Sequence, residues 1–143
     1  MMYRFKNGKP EVFLVHPGGP FFKNKDDGAW SVPKGEVEEN KEDMLSAAKR
    51  EFEEETGIKP EGDFKYLGLA KRTGKVVEVW MFEGDCDSNK INSNTVLIDW
   101  PPRSGKKLEI PEVDRTGFFT IEEARKKLSP YMAGLIDEFE RNL

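Results

Sequence analysis

The segment REFEEE at residues 50–55 contains four glutamates whose spacing suits a metal site. On an α-helix, Glu51, Glu54 and Glu55 stand at positions i, i+3 and i+4, so their carboxylates share one face, while Glu53 points elsewhere. Carboxylate oxygens are the ligands that Mg²⁺ prefers, and phosphate oxygens and water complete its octahedral shell. The pattern therefore indicates metal-assisted chemistry on a phosphate-containing substrate.

The same three glutamates also fit a solvated acidic helix face with no chemical role. Two electrostatic costs weigh against that alternative. Like charges at this spacing repel, and negative charge in the last turn lies beside the negative end of the helix dipole, each costing a few tenths to about 1 kcal/mol. A bound divalent cation reverses the sign of both costs, so the spacing favours a metal site.

Two hairpins are predicted, each from a glycine-containing turn between segments that favour strands. The turns are Asn7-Gly8, between residues 3–5 and 12–15, and Thr73-Gly74, between residues 64–72 and 76–82. Residues 96–98 are expected to form a further short strand. The sequence HPGGP at residues 16–20 is expected to begin a loop that reaches Trp30, because its two prolines lack backbone donors.

A helix is predicted over residues 42–56, where apolar residues recur at helical spacing and Gly57 supplies a left-handed cap. Thr120 and Glu123 form a capping-box pattern that begins a second helix. Pro130 begins a third helix, with one apolar stripe made of Met132, Leu135, Ile136 and Phe139. These elements predict an α/β or α+β sandwich in which helices cover a mixed sheet.

Length and composition narrow the class of protein. The 143 residues predict one domain, and the net charge of −4 argues against binding to a nucleic acid polymer, which needs concentrated lysine and arginine. The single cysteine, Cys86, excludes an internal disulfide framework. With no apolar run of signal-peptide or membrane-spanning length, we expect a cytoplasmic protein that does not use a membrane.

The segment around the glutamates resembles the Nudix box, G-x5-E-x7-R-E-U-x-E-E-x-G-U, in which U is a bulky apolar residue. GEVEENKE at residues 35–42 is followed by seven residues and then by REFEEETGI at residues 50–58. WSVPKG at residues 30–35 is similar to the tract that precedes the box in many members. There is one departure: six residues rather than five separate Gly35 from Glu42. The glutamate spacing is unaffected, whereas the reach of the Gly35 carbonyl to a metal depends on how the longer loop folds.

This resemblance implies a single Nudix-type α/β/α sandwich over residues 1–143, with a mixed sheet between helices. It also implies Mg²⁺- or Mn²⁺-dependent hydrolysis of a pyrophosphate bond in a nucleoside diphosphate-linked substrate. By motif match, Glu51, Glu54, Glu55 and Gly35 are expected to bind the metal. Glu54 and Glu51 are the candidates for the catalytic base, and Arg50 is expected to orient the glutamates.

Further candidate residues lie outside the box. Lys34, Arg103 and Lys106 are expected to contact phosphate, although exposed basic residues commonly do no more than solvate the surface. Trp30 is expected to stack on a nucleobase, with Trp80 and Trp100 as further candidates, although such aromatic residues are more often in the core. Members of the family often recruit another acid, for which Glu112 and Glu109 are the candidates.

The resemblance leaves several substrates open. A nucleoside triphosphate or a dinucleoside polyphosphate fits best, and a diphosphoinositol polyphosphate or a nucleotide sugar is the alternative. The expected partner is thus a small nucleotide-like polyphosphate. A nucleotide-sensing module without activity is a third possibility, but such a module is expected to have lost box glutamates, and this sequence retains all three.

Overall fold

The computed structural model describes residues 1–33 and 43–143. Five strands form one sheet in the order β3-β4-β1-β2-β7, and two more form a separate hairpin, β5-β6. Their bounds are β1 Met2–Lys6, β2 Lys9–Pro17, β3 Lys65–Arg72, β4 Lys75–Glu83, β5 Thr95–Asp99, β6 Lys107–Pro111 and β7 Val113–Thr120. The five-stranded sheet is mixed, because β1 and β4 pair in parallel and the other neighbouring strands pair antiparallel.

Strand β2 shows why the sheet needs helices on both faces. Four consecutive residues, Val12 to Val15, are at most 3% exposed. Successive side chains of a strand point to opposite faces, so Val12 and Leu14 enter one apolar cluster while Phe13 and Val15 enter another. A strand buried on both faces is typical of a sheet covered by helices on each side.

Helix α1, Met44–Thr56, covers one face, where Phe52 packs against Phe13 and Phe82. Helices α2, Ile121–Lys127, and α3, Gly134–Arg141, cover the other face and join the cluster that contains Val12 and Leu14. This arrangement confirms the predicted α/β/α sandwich. No helix in the described ranges is long and apolar enough to cross a membrane.

Both predicted hairpins are present. In the first turn, Asn7 and Gly8 have φ angles of 53° and 78°, as a tight hairpin between β1 and β2 requires. Thr120 caps α2 and forms the predicted capping box with Glu123. The predicted stripe on the last helix is buried, but a 3-10 turn at Pro130–Met132 precedes α3, so the helix is not continuous from Pro130.

Helix α1 agrees with the prediction at its end. Gly57 has a φ of 76° and donates its backbone N–H to the Glu53 carbonyl, 2.7 Å away. A side chain there would also meet the neighbouring loop, since a Cβ atom would lie 2.9 Å from the Asn92 carbonyl oxygen. At its start the helix is capped by the Asp43 carboxylate, which accepts from Ser46 N, and the predicted first residue, Glu42, lies outside the described residues.

The prediction that strand β2 stops before His16 was wrong. The strand continues to Pro17 because His16 pairs with Arg115 of β7, and the register shifts at the proline, which cannot donate. His16 is fully buried, with Nδ1 2.8 Å from the Asp114 carboxylate and Nε2 2.7 Å from the Lys25 carbonyl oxygen. These contacts attach the loop after β2 to the sheet.

Candidate metal centre

Three carboxylates meet where α1 ends and β7 begins. Glu51, Glu55 and Glu112 each offer an oxygen, and these oxygens lie within 4.8 Å of one another. Glu55 is only 7% exposed, although carboxylates are rarely buried unless they are paired or bind a cation. A compact set of three oxygen donors matches the ligand chemistry of Mg²⁺ or Mn²⁺, so the residues present fit the implied metal.

The surroundings of Glu51 show the electrostatic cost of this arrangement. Burial raises the pKa of the Glu51 carboxyl above its usual value of 4.5, and the charges of Glu54 and Glu112 raise it further. The Arg50 guanidinium opposes this increase without cancelling it. Without a cation, the folded protein therefore holds a negative charge at Glu51 less readily than the unfolded chain does.

Glu51→Gln is expected to raise the melting temperature of the metal-free protein at pH 7. A carboxyl whose pKa is raised by folding binds its proton more tightly in the folded state, so wild-type stability falls as the pH rises through 4.5 towards the raised value. The gain from glutamine should therefore vanish as the pH falls below 4.5. Thermal melts in chelator across this range test it, with exposed Glu53→Gln as the control. Equal melting temperatures of wild type and Glu51→Gln at pH 7 would refute it.

Arg50 and Glu54 lie at the edge of the three-carboxylate group. Arg50 Nη1 donates to Glu51 Oε1 and to Glu54 Oε1, each at 3.0 Å, so the contact expected of Arg50 is present. The Glu54 side chain is 42% exposed and is directed to Arg50, whereas Glu51 is 18% exposed. The structure thus separates the three box glutamates into two enclosed carboxylates and one that is accessible to solvent.

The loop before β5 joins the two parts of the centre. Asn92 N donates to Thr56 O and Asn94 N donates to Glu54 O, both at 2.9 Å, which satisfies carbonyls at the end of α1. Glu112 N then donates to Asn94 O at 3.0 Å. Residues 85–95 are rich in Asp, Ser and Asn, and no site residue was predicted among them; the signal that could have found this loop is that such segments commonly cap helix ends.

Of the two candidate extra acids, Glu112 lies in the group and Glu109 does not. Glu109 is exposed on β6 and accepts a hydrogen bond from Thr95 Oγ1 at 3.0 Å. Arg103 and Lys106 are also not brought to the carboxylates. They lie in the turn at the far end of the β5-β6 hairpin, and β6 separates them from Glu112 by about 16 Å at roughly 3.3 Å per residue.

The position of Trp30 corrects the expectation that it stacks on a nucleobase. The residue is 5% exposed, and its indole nitrogen donates to Asp26 Oδ1 at 2.8 Å. His16 and Phe119 pack against the ring at centroid distances of 5.2 and 5.0 Å, so no face is open to a ligand. Trp30 is part of the core. The predicted site residues Lys34 and Gly35 lie outside the described residues.

A cleft lies between α1 and β4. Ala48 and Lys49 of α1 line one side, and Trp80 of β4 lines the other. Lys49 is rotated away from Glu51 and Glu55, whereas Ala48 lies three and seven residues before them and so shares their side of the helix. Trp80, one of the tryptophans considered from sequence, thus lies beside an open space.

Comparisons with known proteins agree with this architecture. A model of the NUDIX domain matches residues 2–139. The structure of an Ap4A hydrolase from C. elegans in a binary complex superposes with a TM-score of 0.65 and 24% identity, covering 99% of this chain and 91% of that one. The NUDIX domain of Shewanella oneidensis NrtR, complexed with ADP ribose, has a TM-score of 0.63 and 15% identity, covering 99% and 82%. At these identities the two structures support the fold alone.

One relative is more similar in sequence. The mRNA-decapping protein g5R of African swine fever virus is 34% identical over 108 residues, which are 76% of this chain. The match covers 37% of the viral protein, so this chain corresponds to a minor part of that relative's length.

Proposed function

The chain belongs to the Nudix family of hydrolases, and we propose from this premise that it cleaves a phosphoanhydride bond in a nucleoside diphosphate-linked substrate with the help of Mg²⁺ or Mn²⁺. The observation that carries the proposal is the meeting of Glu51, Glu55 and Glu112 within 4.8 Å. Two of these acids come from the box and the third from a distant part of the chain, so the fold itself assembles an oxygen-rich site.

Glu51, Glu55 and Glu112 would hold the cation, with Gly35 expected to contribute by family resemblance. When bound, the cation neutralises charge on the phosphate oxygens and acidifies water. The chain's own residues do the rest. The enclosed carboxylates fix the site between α1 and β7, and a bound cation would relieve the repulsion between Glu51 and Glu112.

Glu54 is our assignment for the base that accepts a proton from the attacking water. Among Glu51, Glu54 and Glu55, the Glu54 side chain is the most exposed to solvent, and a catalytic base must reach its water. Arg50 donates to Glu54 at 3.0 Å and thereby holds its carboxylate beside Glu51. The water oxygen forms a bond to phosphorus, the bridging P–O bond breaks, and the new oxygen leaves in a phosphoryl product.

A nucleoside triphosphate or a dinucleoside polyphosphate is the substrate class we propose. The similar fold of an Ap4A hydrolase is consistent with this choice, but it supports the fold and not the substrate. Diphosphoinositol polyphosphates and nucleotide sugars share the anhydride that the carboxylates would act on. A binding module without activity is disfavoured because all three box glutamates are retained.

A second candidate is the capped 5′ end of an RNA, in which a triphosphate bridge joins two nucleosides. The observation in its favour is the 34% identity to the viral mRNA-decapping protein. The net charge of −4 weighs against an extended RNA-binding surface, which would need concentrated positive charge. We therefore rank it second.

A substrate panel tests the proposal. The full chain is incubated with nucleoside triphosphates, dinucleoside polyphosphates, capped RNA, nucleotide sugars and a diphosphoinositol polyphosphate, with Mg²⁺ or Mn²⁺ and with excess chelator. We expect metal-dependent release of a nucleoside monophosphate or an equivalent phosphorylated fragment, with oxygen from labelled water in a phosphoryl product. Turnover that persists in chelator, or label that enters a sugar or base, would contradict the mechanism.

A further inference from the structure

Asn94 connects the end of the box helix to the acid that lies outside the box. Its backbone N–H donates to the Glu54 carbonyl at 2.9 Å, and its backbone carbonyl accepts from Glu112 N at 3.0 Å. The end of its side-chain amide lies 3.1 Å from Glu54 O and 3.2 Å from Glu112 Oε2. Because both of these atoms can only accept, the amide is assigned with its nitrogen facing them. Both amide hydrogens therefore have an acceptor, and one of these acceptors is a carboxylate oxygen of the candidate metal centre.

We propose that Asn94 is a positioning residue that holds the Glu112 carboxylate in the metal centre. The proposal rests on the function proposed above, because that function says what the centre does. The contact between the Asn94 amide and the Glu112 carboxylate does not itself require a metal. No motif of the box contains Asn94, and its role depends on the convergence of α1, the loop before β5 and the start of β7.

The need for such a residue follows from where Glu112 comes from. Glu51 and Glu55 are fixed on one helix, whereas Glu112 follows β6 and must approach two carboxylates that repel it. A hydrogen bond to Glu112 Oε2 opposes that repulsion and fixes which oxygen is directed into the group. Because an amide carries no net charge, Asn94 does this without competing with a cation, as a lysine would.

The residues next to Asn94 keep its side chain in place. Ser93 Oγ accepts from Val113 N at 2.9 Å and donates to Asn94 O at 2.9 Å. Asn92 N bonds to Thr56 O, so the loop is attached to α1 on one side and to β7 on the other. A backbone held from both sides fixes where the Asn94 side chain begins, which favours a constant position of its amide beside Glu112.

Mn²⁺ binding to the full chain, measured by electron paramagnetic resonance, tests the proposal. We expect Asn94→Ala to weaken Mn²⁺ binding by about 10-fold or more, as is typical for loss of a hydrogen bond to a metal ligand. Asn94→Leu has a similar shape, carries no charge and cannot donate, so it should weaken binding at least as much. Asn92→Ala is the matched control, since it removes an exposed amide of the same loop, and it should change affinity by less than about twofold. Unchanged affinity in Asn94→Ala, or retained affinity in Asn94→Leu, would overturn the proposal.

A second measurement does not depend on metal or turnover. Melting temperatures of the chelated wild type, Asn94→Ala, Glu112→Ala and the double variant form a double-mutant cycle. If the side chains are bonded, the loss in the double variant should be clearly different from the sum of the single losses. Additive losses would show that the bond is absent and would overturn the proposal, whatever the activity. If the losses of melting temperature are not additive but the protein hydrolyses no substrate of the panel, the proposed function is rejected. The role of Asn94 in positioning Glu112 then still holds.

Discussion

Replacing Glu55 with glutamine is expected to lower metal-dependent turnover by roughly 10²-fold or more. The reason is that the cation would lose a charged ligand, and a water molecule in its place carries no charge. Glu55 is 7% exposed and lies with Glu51 and Glu112, so its carboxylate belongs to the most enclosed part of the centre. Glutamine keeps the size of the side chain and one oxygen but removes the charge. The steady-state rate on the best substrate of the panel is the measurement.

Glu53→Gln is the matched control for Glu55→Gln. Glu53 is two residues away on the same helix but is exposed on another face, so the same chemical change should alter the rate by less than about threefold. Circular dichroism of both variants should show the wild-type helix content. If Glu55→Gln retains most of the wild-type rate while it is folded, Glu55 is not part of the reacting centre.

Mg²⁺ or Mn²⁺ is expected to stabilise the wild type, and Glu112→Gln to remove much of that gain. At a free metal concentration of 100 times Kd, binding to the folded state alone adds about 2.7 kcal/mol. For 143 residues, this corresponds to a rise of roughly 5–10 °C in the melting temperature, at about 2–4 °C per kcal/mol. A tenfold weaker Kd in Glu112→Gln would remove about half of the rise.

Glu109→Gln separates a ligand effect from a general charge effect in this experiment. Glu109 lies on the same hairpin as Glu112 but outside the carboxylate group, so its variant should keep the full metal-induced rise. Melts with and without excess chelator give the two values for each protein. An equal rise in wild type and Glu112→Gln would place the metal elsewhere, and an equal loss in both variants would indicate a long-range charge effect.

Local patterns explain why the sequence predicted two of the three carboxylates of the centre. Helical periodicity alone places Glu51 and Glu55 on one face, and the position of Gly57 sets the end of that helix. Glu112 could be named only as one of two candidates. The choice between Glu112 and Glu109 depends on hydrogen bonds to Asn94 and on the register of β6, which no local pattern encodes.

The errors elsewhere have the same physical origin. Strand β7 was not predicted because its residues Val113 to Gly117 include Asp, Arg, Thr and Gly, and only its pairing with β2 makes them a strand. Trp30 was proposed as a ligand contact from its residue type, whereas its burial depends on His16 and Phe119, which are distant in sequence. Arg103 and Lys106 suit phosphate by charge, and their contact with phosphate stays a prediction, since the structure places them in the turn of the β5-β6 hairpin, with β6 between them and Glu112.

The β5-β6 hairpin is separate from the five-stranded sheet. The fraction of molecules with a complete candidate metal centre is therefore expected to depend on how often this hairpin is closed. Strand β2 belongs to both apolar clusters, so its backbone amides are expected to exchange with solvent only when the whole domain unfolds. Among the described residues, β5 and β6 pair only with each other, so the hairpin is expected to open locally at a smaller free energy. The Glu112 backbone is also bonded to Gly18 and Asn94, so an opening that breaks these bonds would withdraw one carboxylate. The apparent affinity for a cation is then the intrinsic affinity multiplied by the fraction of molecules in which the hairpin is closed, and a cation that binds shifts the hairpin towards its closed form.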